Sequence, residues 1–162
     1  MVFPNYFDYE NGHGSSHIAL RIHDELNSLK KMREIFKKGV EILDEIPNKN
    51  DKLLLLTNQC HYMLTAINTG INAKNWFIKF SEQKVCYDRE KLIKTLDEMQ
   101  EILDNERANV KEAITYVERD SSLGWEPSME YIGEKWHLEW KLRELDCMEL
   151  RELSKLKLAA KC

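Results

Sequence analysis

With 162 residues, 43% hydrophobic content and a net charge of -4 from 28 acidic and 24 basic side chains, the chain has material for one core and no general electrostatic pull towards nucleic acid or an anionic membrane. Its longest uninterrupted apolar run, Leu53 to Leu56, is far below the roughly 20 residues that cross a bilayer. Only 6 Gly and 3 Pro, against abundant Leu, Lys, Glu and Ile, predict long helices with few turns.

Residues 1–16 carry Phe3, Tyr6, Phe7 and Tyr9 without helical or strand periodicity, followed by Gly12 and Gly14. They read as an aromatic arm or linker that packs on the bundle, on a second copy or on a neighbouring domain. Such an uncapped opening leads us to expect a piece of a longer protein. Residues 17–162 form the bundle domain. Ser15 or Ser16 is positioned to cap a first helix whose apolar stripe runs Ile18, Ile22, Leu26, Leu29, Met32, Phe36, Val40 and Leu43, in steps of three and four that lay one continuous face. Pro47 and Asn48 end it.

Asn50 or Asp51 caps the second helix, with a stripe through Leu53, Leu56, Cys60, Met63 or Leu64, Ile67, Ile71 and Ile78. Gly70 inside this run costs about 1 kcal/mol relative to Ala, which predicts a kink or a close approach by another helix. A short connection over residues 81–87 leads to Asp88, which opens the third helix through Leu92, Leu96, Met99, Leu103, Val110, Ile114 and Val117. Glu106, or Arg107 beside it, falls where an apolar residue belongs, so the seam opens there or carries a buried polar contact. The last helix takes Leu138, Leu142, Leu145, Met148 or Glu149, Leu153, Leu156 and Ala160. Four such stripes with short connections predict an all-α fold, an antiparallel up-down-up-down four-helix bundle. Cys60, Cys86, Cys147 and Cys162 form no CxxC pair. That excludes a zinc knuckle and points to reduced thiols in the cytoplasm.

Residues 121–140, SSLGWEPSMEYIGEKWHLEW, break the helical rhythm and gather three of the four tryptophans. Trp125, Tyr131, Trp136 and Trp140 either close the end of the core as a plug or present a partner-facing surface. Glu126 and Glu130 flank Pro127 among these rings, a carboxylate pair that suits sugar hydrolysis only where a cleft holds it, and a lone bundle end offers little concavity. Glu134 and His137 have the ExxH spacing that di-iron carboxylate bundles use to aim two ligands inward. A complete site needs further ligands, for which Glu106 and His61 are the available residues. The alternative reading is therefore a ferritin-like metal protein using Glu134, His137, Glu106 and His61.

The run Asp120-Ser-Ser-Leu-Gly-Trp-Glu-Pro-Ser-Met-Glu-Tyr131, followed by Gly133 and His137-Leu-Glu-Trp-Lys141, resembles a phrase near the C-terminal helical region of large bacterial proteins related to glycoside hydrolases. The resemblance covers about 20 residues closely and implies an accessory helical domain that follows a catalytic barrel; it carries over no catalytic residue. The leading expectation is a non-catalytic accessory or interaction domain without a cofactor. Its contact residues would be Trp125, Glu126, Met129, Tyr131 and Trp136, and its partner a neighbouring catalytic domain or a second copy.

Overall fold

The computed structural model describes the backbone of residues 15–123, 125–126, 131–132 and 134–161, and the side chains of residues 21–123 and 134–160. The chain is all-α, with helices α1 (Ser15–Glu45), α2 (Asp51–Lys84) and α3 (Arg89–Arg119). A last helical segment comprises α4 (Lys135–Met148), a π-helical turn over Glu149–Leu153 and α5 (Ser154–Lys161). Two sequence-predicted caps form as expected: the Asn50 side chain accepts from the Leu53 N–H, and the Asp88 side chain accepts from the Lys91 N–H. Each satisfies one of the donors that a helix start leaves without a partner. Helix α2 runs on to Lys84, so the connection to α3 is shorter than the expected 81–87.

Paired residues across each interface show that neighbouring helices run antiparallel. Asp44 meets His61 and Glu25 meets Lys74 between α1 and α2. Between α2 and α3, Asn58 reaches Tyr116, Asn72 reaches Glu106 and Lys79 reaches Glu98. Between α3 and the last segment, Lys135 reaches Glu118, Arg107 reaches Asp146 and Lys157 reaches Asp97. As one number rises the other falls, in all three pairs. The helices pack in chain order, α1 on α2, α2 on α3, and α3 on α4, the π turn and α5; among the described residues α1 and α4 share no extended interface. The bundle is therefore an open meander with α1 and the last segment as its two edges.

Two apolar clusters follow from this order. The larger joins Leu96, Met99, Leu103 and Val110 of α3 to Leu145, Leu153 and Ala160 of the last segment, with Trp76 and Phe80 of α2 packed against it. A smaller one joins Leu26 of α1 to Ile67 and Ile71 of α2. The large cluster needs the π turn. Leu145 and Leu153 are eight residues apart, and at 100° per residue Leu153 would sit about 80° off the seam. A π turn accommodates one extra residue, and Leu153 stays on the seam at 1% exposure. Gly70 shows the second of its two expected outcomes: the Leu29 Cδ1 of α1 lies 3.4 Å from where a Cβ would stand, so the glycine accommodates a close approach.

Some stripe assignments need correction. Met32 and Leu56, expected in the buried rows, are each about half exposed, because α1 and the first turns of α2 are covered on one side only; of the alternatives Met63 and Leu64, Met63 is exposed and Leu64 is the half-buried one. Between α3 and α4 the chain forms a small hairpin, β1 (Trp125–Glu126) and β2 (Tyr131–Ile132), with Trp125 opposite Ile132 and Glu126 opposite Tyr131. Among the described residues no helix is long and apolar enough to cross a membrane.

Candidate functional site

The hairpin turns the chain back into α4, and the Lys135 ammonium at the first turn of α4 donates to the Glu118 carboxylate near the end of α3. That anchors the aromatic corner. On α4 the core line is Leu138, Leu142 and Leu145, which leaves Trp136 and Trp140, four residues apart, on the opposite face. They are 56% and 54% exposed. For these two rings the plug expectation fails, since among the described residues the core lies on the other side of α4. The Trp136 ring lies against His137, with centroids 3.5 Å apart. The backbone of Trp125, Glu126 and Tyr131 belongs to the hairpin, while their side chains and the whole of Met129 lie outside the described residues. So does Glu130.

The four residues of the metal alternative are not brought together. Glu134 is exposed at the start of α4, where its carbonyl accepts from the His137 N–H and its side chain makes no cap hydrogen bond. His61 of α2 bonds Asp44 Oδ1 through Nε2 at 3.0 Å and stacks on Tyr116 of α3 at 5.3 Å. Glu106 lies on α3 ten residues before Tyr116, about 15 Å along the axis. Among the described residues no group of three or more His, Cys, Asp and Glu is placed to hold a metal ion.

Glu106 instead carries the buried polar contact that its position on the stripe predicts. At 6% exposure, its Oε1 accepts from the Thr69 hydroxyl at 2.7 Å and from the Lys141 ammonium, and its Oε2 accepts from the Asn72 amide at 2.7 Å. Asn109, one turn on, donates to the Thr65 carbonyl at 2.9 Å and to Thr69 Oγ1 at 3.0 Å. Both oxygens of this carboxylate are therefore engaged by donors from within the protein. This network ties α2, α3 and α4 together beside an apolar cleft of about 230 Å³ lined by Trp76, Leu145 and Met148. Sequence reasoning found Glu106 and missed Thr69, Asn72, Asn109 and Lys141. The available signal was two polar pairs at a spacing of three, Thr69 with Asn72 and Glu106 with Asn109, on facing stripes.

A second cleft, of about 490 Å³, opens at the bundle end where α1 turns into α2, with Asp44, Lys49, Asn58, His61 and Arg119 in its wall. Lys49 donates to the Asp44 and Ile46 carbonyls at 2.9 and 3.1 Å, closing the end of α1. The Asn58 amide donates to the Tyr116 carbonyl at 3.0 Å, and its buried Oδ1 has no partner. Burial, then the Glu112 carboxylate that accepts from its hydroxyl at 2.6 Å, raise the Tyr116 pKa above the usual phenol value. His61 is oriented by Asp44, but the nearby Thr57 hydroxyl donates to the Leu53 carbonyl at 2.7 Å, so the pair has no free hydroxyl nucleophile in this wall. No protein-family model, curated protein or solved structure matches this chain.

Proposed function

We propose that this chain is a non-catalytic helical interaction module that docks through the aromatic corner to a neighbouring catalytic domain of a larger, carbohydrate-active protein. The observation that carries the reading is the pair Trp136 and Trp140, each more than half exposed on the face of α4 turned away from its core. Two tryptophans one turn apart offer a large, rigid contact area at low entropy cost, and burial against a partner would recover apolar surface that folding leaves in water. In this reading Trp125, Glu126, Met129 and Tyr131 belong to the same contact. The phrase shared with glycoside-hydrolase-related proteins supplies the class of partner, and the thiols of Cys60, Cys86 and Cys147, free in the structure, suit a cytoplasmic location.

The test is co-purification with the domain encoded next to this segment in its reading frame. Wild-type chain should retain that domain, and Trp136→Ala with Trp140→Ala should release it without loss of helix content. A reading frame with no neighbouring domain, or retention that ignores both tryptophans, would remove this reading.

A further inference from the structure

The second open edge of the meander, α1, carries a row that folding does not use. Met32, Ile35, Gly39, Ile42 and Ile46 follow one another in steps of three and four, which places them on one face. That face is beside the buried line of Ile22, Leu26 and Val40 rather than on it. Ile35 is 73% and Ile42 65% exposed. At the centre of the row stands Gly39. A glycine inside a helix costs about 1 kcal/mol relative to Ala, and here a Cβ would meet nothing within 4 Å. Gly70 is explained by Leu29 at 3.4 Å; among the described residues nothing explains Gly39 in the same way.

We propose that this face is the interface of a homodimer, in which α1 of one copy crosses α1 of a second copy antiparallel, with the two-fold axis at Gly39. The row is close to palindromic about that residue. Met32 lies seven residues before it and Ile46 seven after, while Ile35 lies four before and Ile42 three after. An antiparallel copy therefore sets Met32 against Ile46 and Ile35 against Ile42, over a contact of about 21 Å. Gly39 meets Gly39 and lets the two backbones approach.

Charge selects the direction. Lys31 and Glu45 flank the row at its two ends, both exposed and both without an ion pair among the described residues. The antiparallel arrangement brings each Lys31 to the Glu45 of the second copy, twice by symmetry. In a parallel pair, related by a two-fold along the helices, Lys31 and the Glu45 of the second copy lie on opposite sides of the contact and at opposite ends of it, so no such pair forms. An isologous contact of this kind covers the α1 edge of both copies at once and closes the assembly. The proposal goes beyond the docking reading and uses the opposite edge of the meander.

The experiment is sedimentation velocity of the full chain over a range of concentrations, with four sets of variants. Wild type should pass from monomer to dimer as concentration rises. Ile35→Lys and Gly39→Leu should each remain monomeric with unchanged helix content and, at concentrations where wild type is itself monomeric, an unfolding midpoint no lower than wild type. Lys31→Glu and Glu45→Lys should each weaken the dimer several-fold, and the double variant should restore it. The two residues are about 21 Å apart on one helix, so such a rescue arises only between copies. Trp136→Ala with Trp140→Ala should leave the dimer intact, which separates this contact from the aromatic corner. A wild-type chain that stays monomeric throughout, a dimer indifferent to Ile35→Lys and Gly39→Leu, a double variant no tighter than the singles, or a dimer lost with the tryptophans would each overturn the proposal.

Discussion

The two faces of α3 are held in different ways. Towards the last helical segment α3 presents Leu96, Met99, Leu103 and Val110, each at 2% exposure or less, and the buried part of the contact is apolar packing, with the ion pairs of Arg107, Lys135 and Lys157 at its margin. Towards α2 it presents Glu106 and Asn109 among its buried residues, and the contact runs through hydrogen bonds to Thr69, Asn72, Thr65 and Asn58 together with the Lys79–Glu98 ion pair. Apolar packing is non-directional and stabilises many nearly equivalent registers. A buried carboxylate with named donors is satisfied in one register only. The apolar face supplies most of the stability of the bundle, and the polar face fixes how α2 slides against α3.

The contrast orders what substitutions should do. Leu103→Ala, which empties part of the apolar cluster, should cost about 2–5 kcal/mol in urea unfolding, with the unfolding transition remaining cooperative. Glu106→Ala should cost somewhat less, about 2–3 kcal/mol, because Asn72, Thr69 and the partly exposed Lys141 would lose their acceptor. Replacing Glu106 and Lys141 together by Leu should recover most of that loss, while hydrogen exchange along α2 and α3 should speed up as the register becomes less defined. If the double replacement kept wild-type exchange, the polar face would have no role in register.

A smaller effect separates the faces by pH. The Lys79 ammonium, donating to Glu98, holds that carboxyl below its ordinary value of 4.5. A group depressed in the folded state adds stability that is complete above its unfolded value and is lost as pH falls through the lowered folded value. Unfolding midpoints should therefore decline below about pH 4.5, and Glu98→Gln should flatten part of that decline, whereas Leu103→Ala should shift the whole curve without changing its slope. At the alkaline end Tyr116 holds its proton longer when folded than the ordinary value of 10. Stability should fall as pH rises above about 10, and Tyr116→Phe should remove that component.

Much of this fold was legible in the residues. Steps of three and four located all four helical segments, the side chains of Asn50 and Asp88 announced two of the starts, and Gly70 announced a close approach. Glu106 was visible because a lone carboxylate on an apolar stripe must find donors. What a stripe does not encode is which neighbour covers it. The open order of the helices, with α1 and α4 apart, was therefore hidden, as were the exposed positions of Met32 and Leu56. The π turn was hidden because its cause, the eight-residue step from Leu145 to Leu153, reads in sequence as an ambiguity between Met148 and Glu149. Trp136 and Trp140 were visible as a cluster, but ring chemistry alone suits a core and a contact surface equally; the position of Leu138 and Leu142 on the opposite face keeps both rings off the core line.

The reading of the aromatic corner as a docking surface rests on those two rings being spared from folding, and urea unfolding of a chain carrying Trp136→Ala and Trp140→Ala tests that most directly. Exposed substitutions usually change stability by about 0.5 kcal/mol or less each, so the pair should lose no more than about 1 kcal/mol. A loss of about 3 kcal/mol or more, the scale of an emptied core position, would show that the tryptophans close the bundle and would contradict the account.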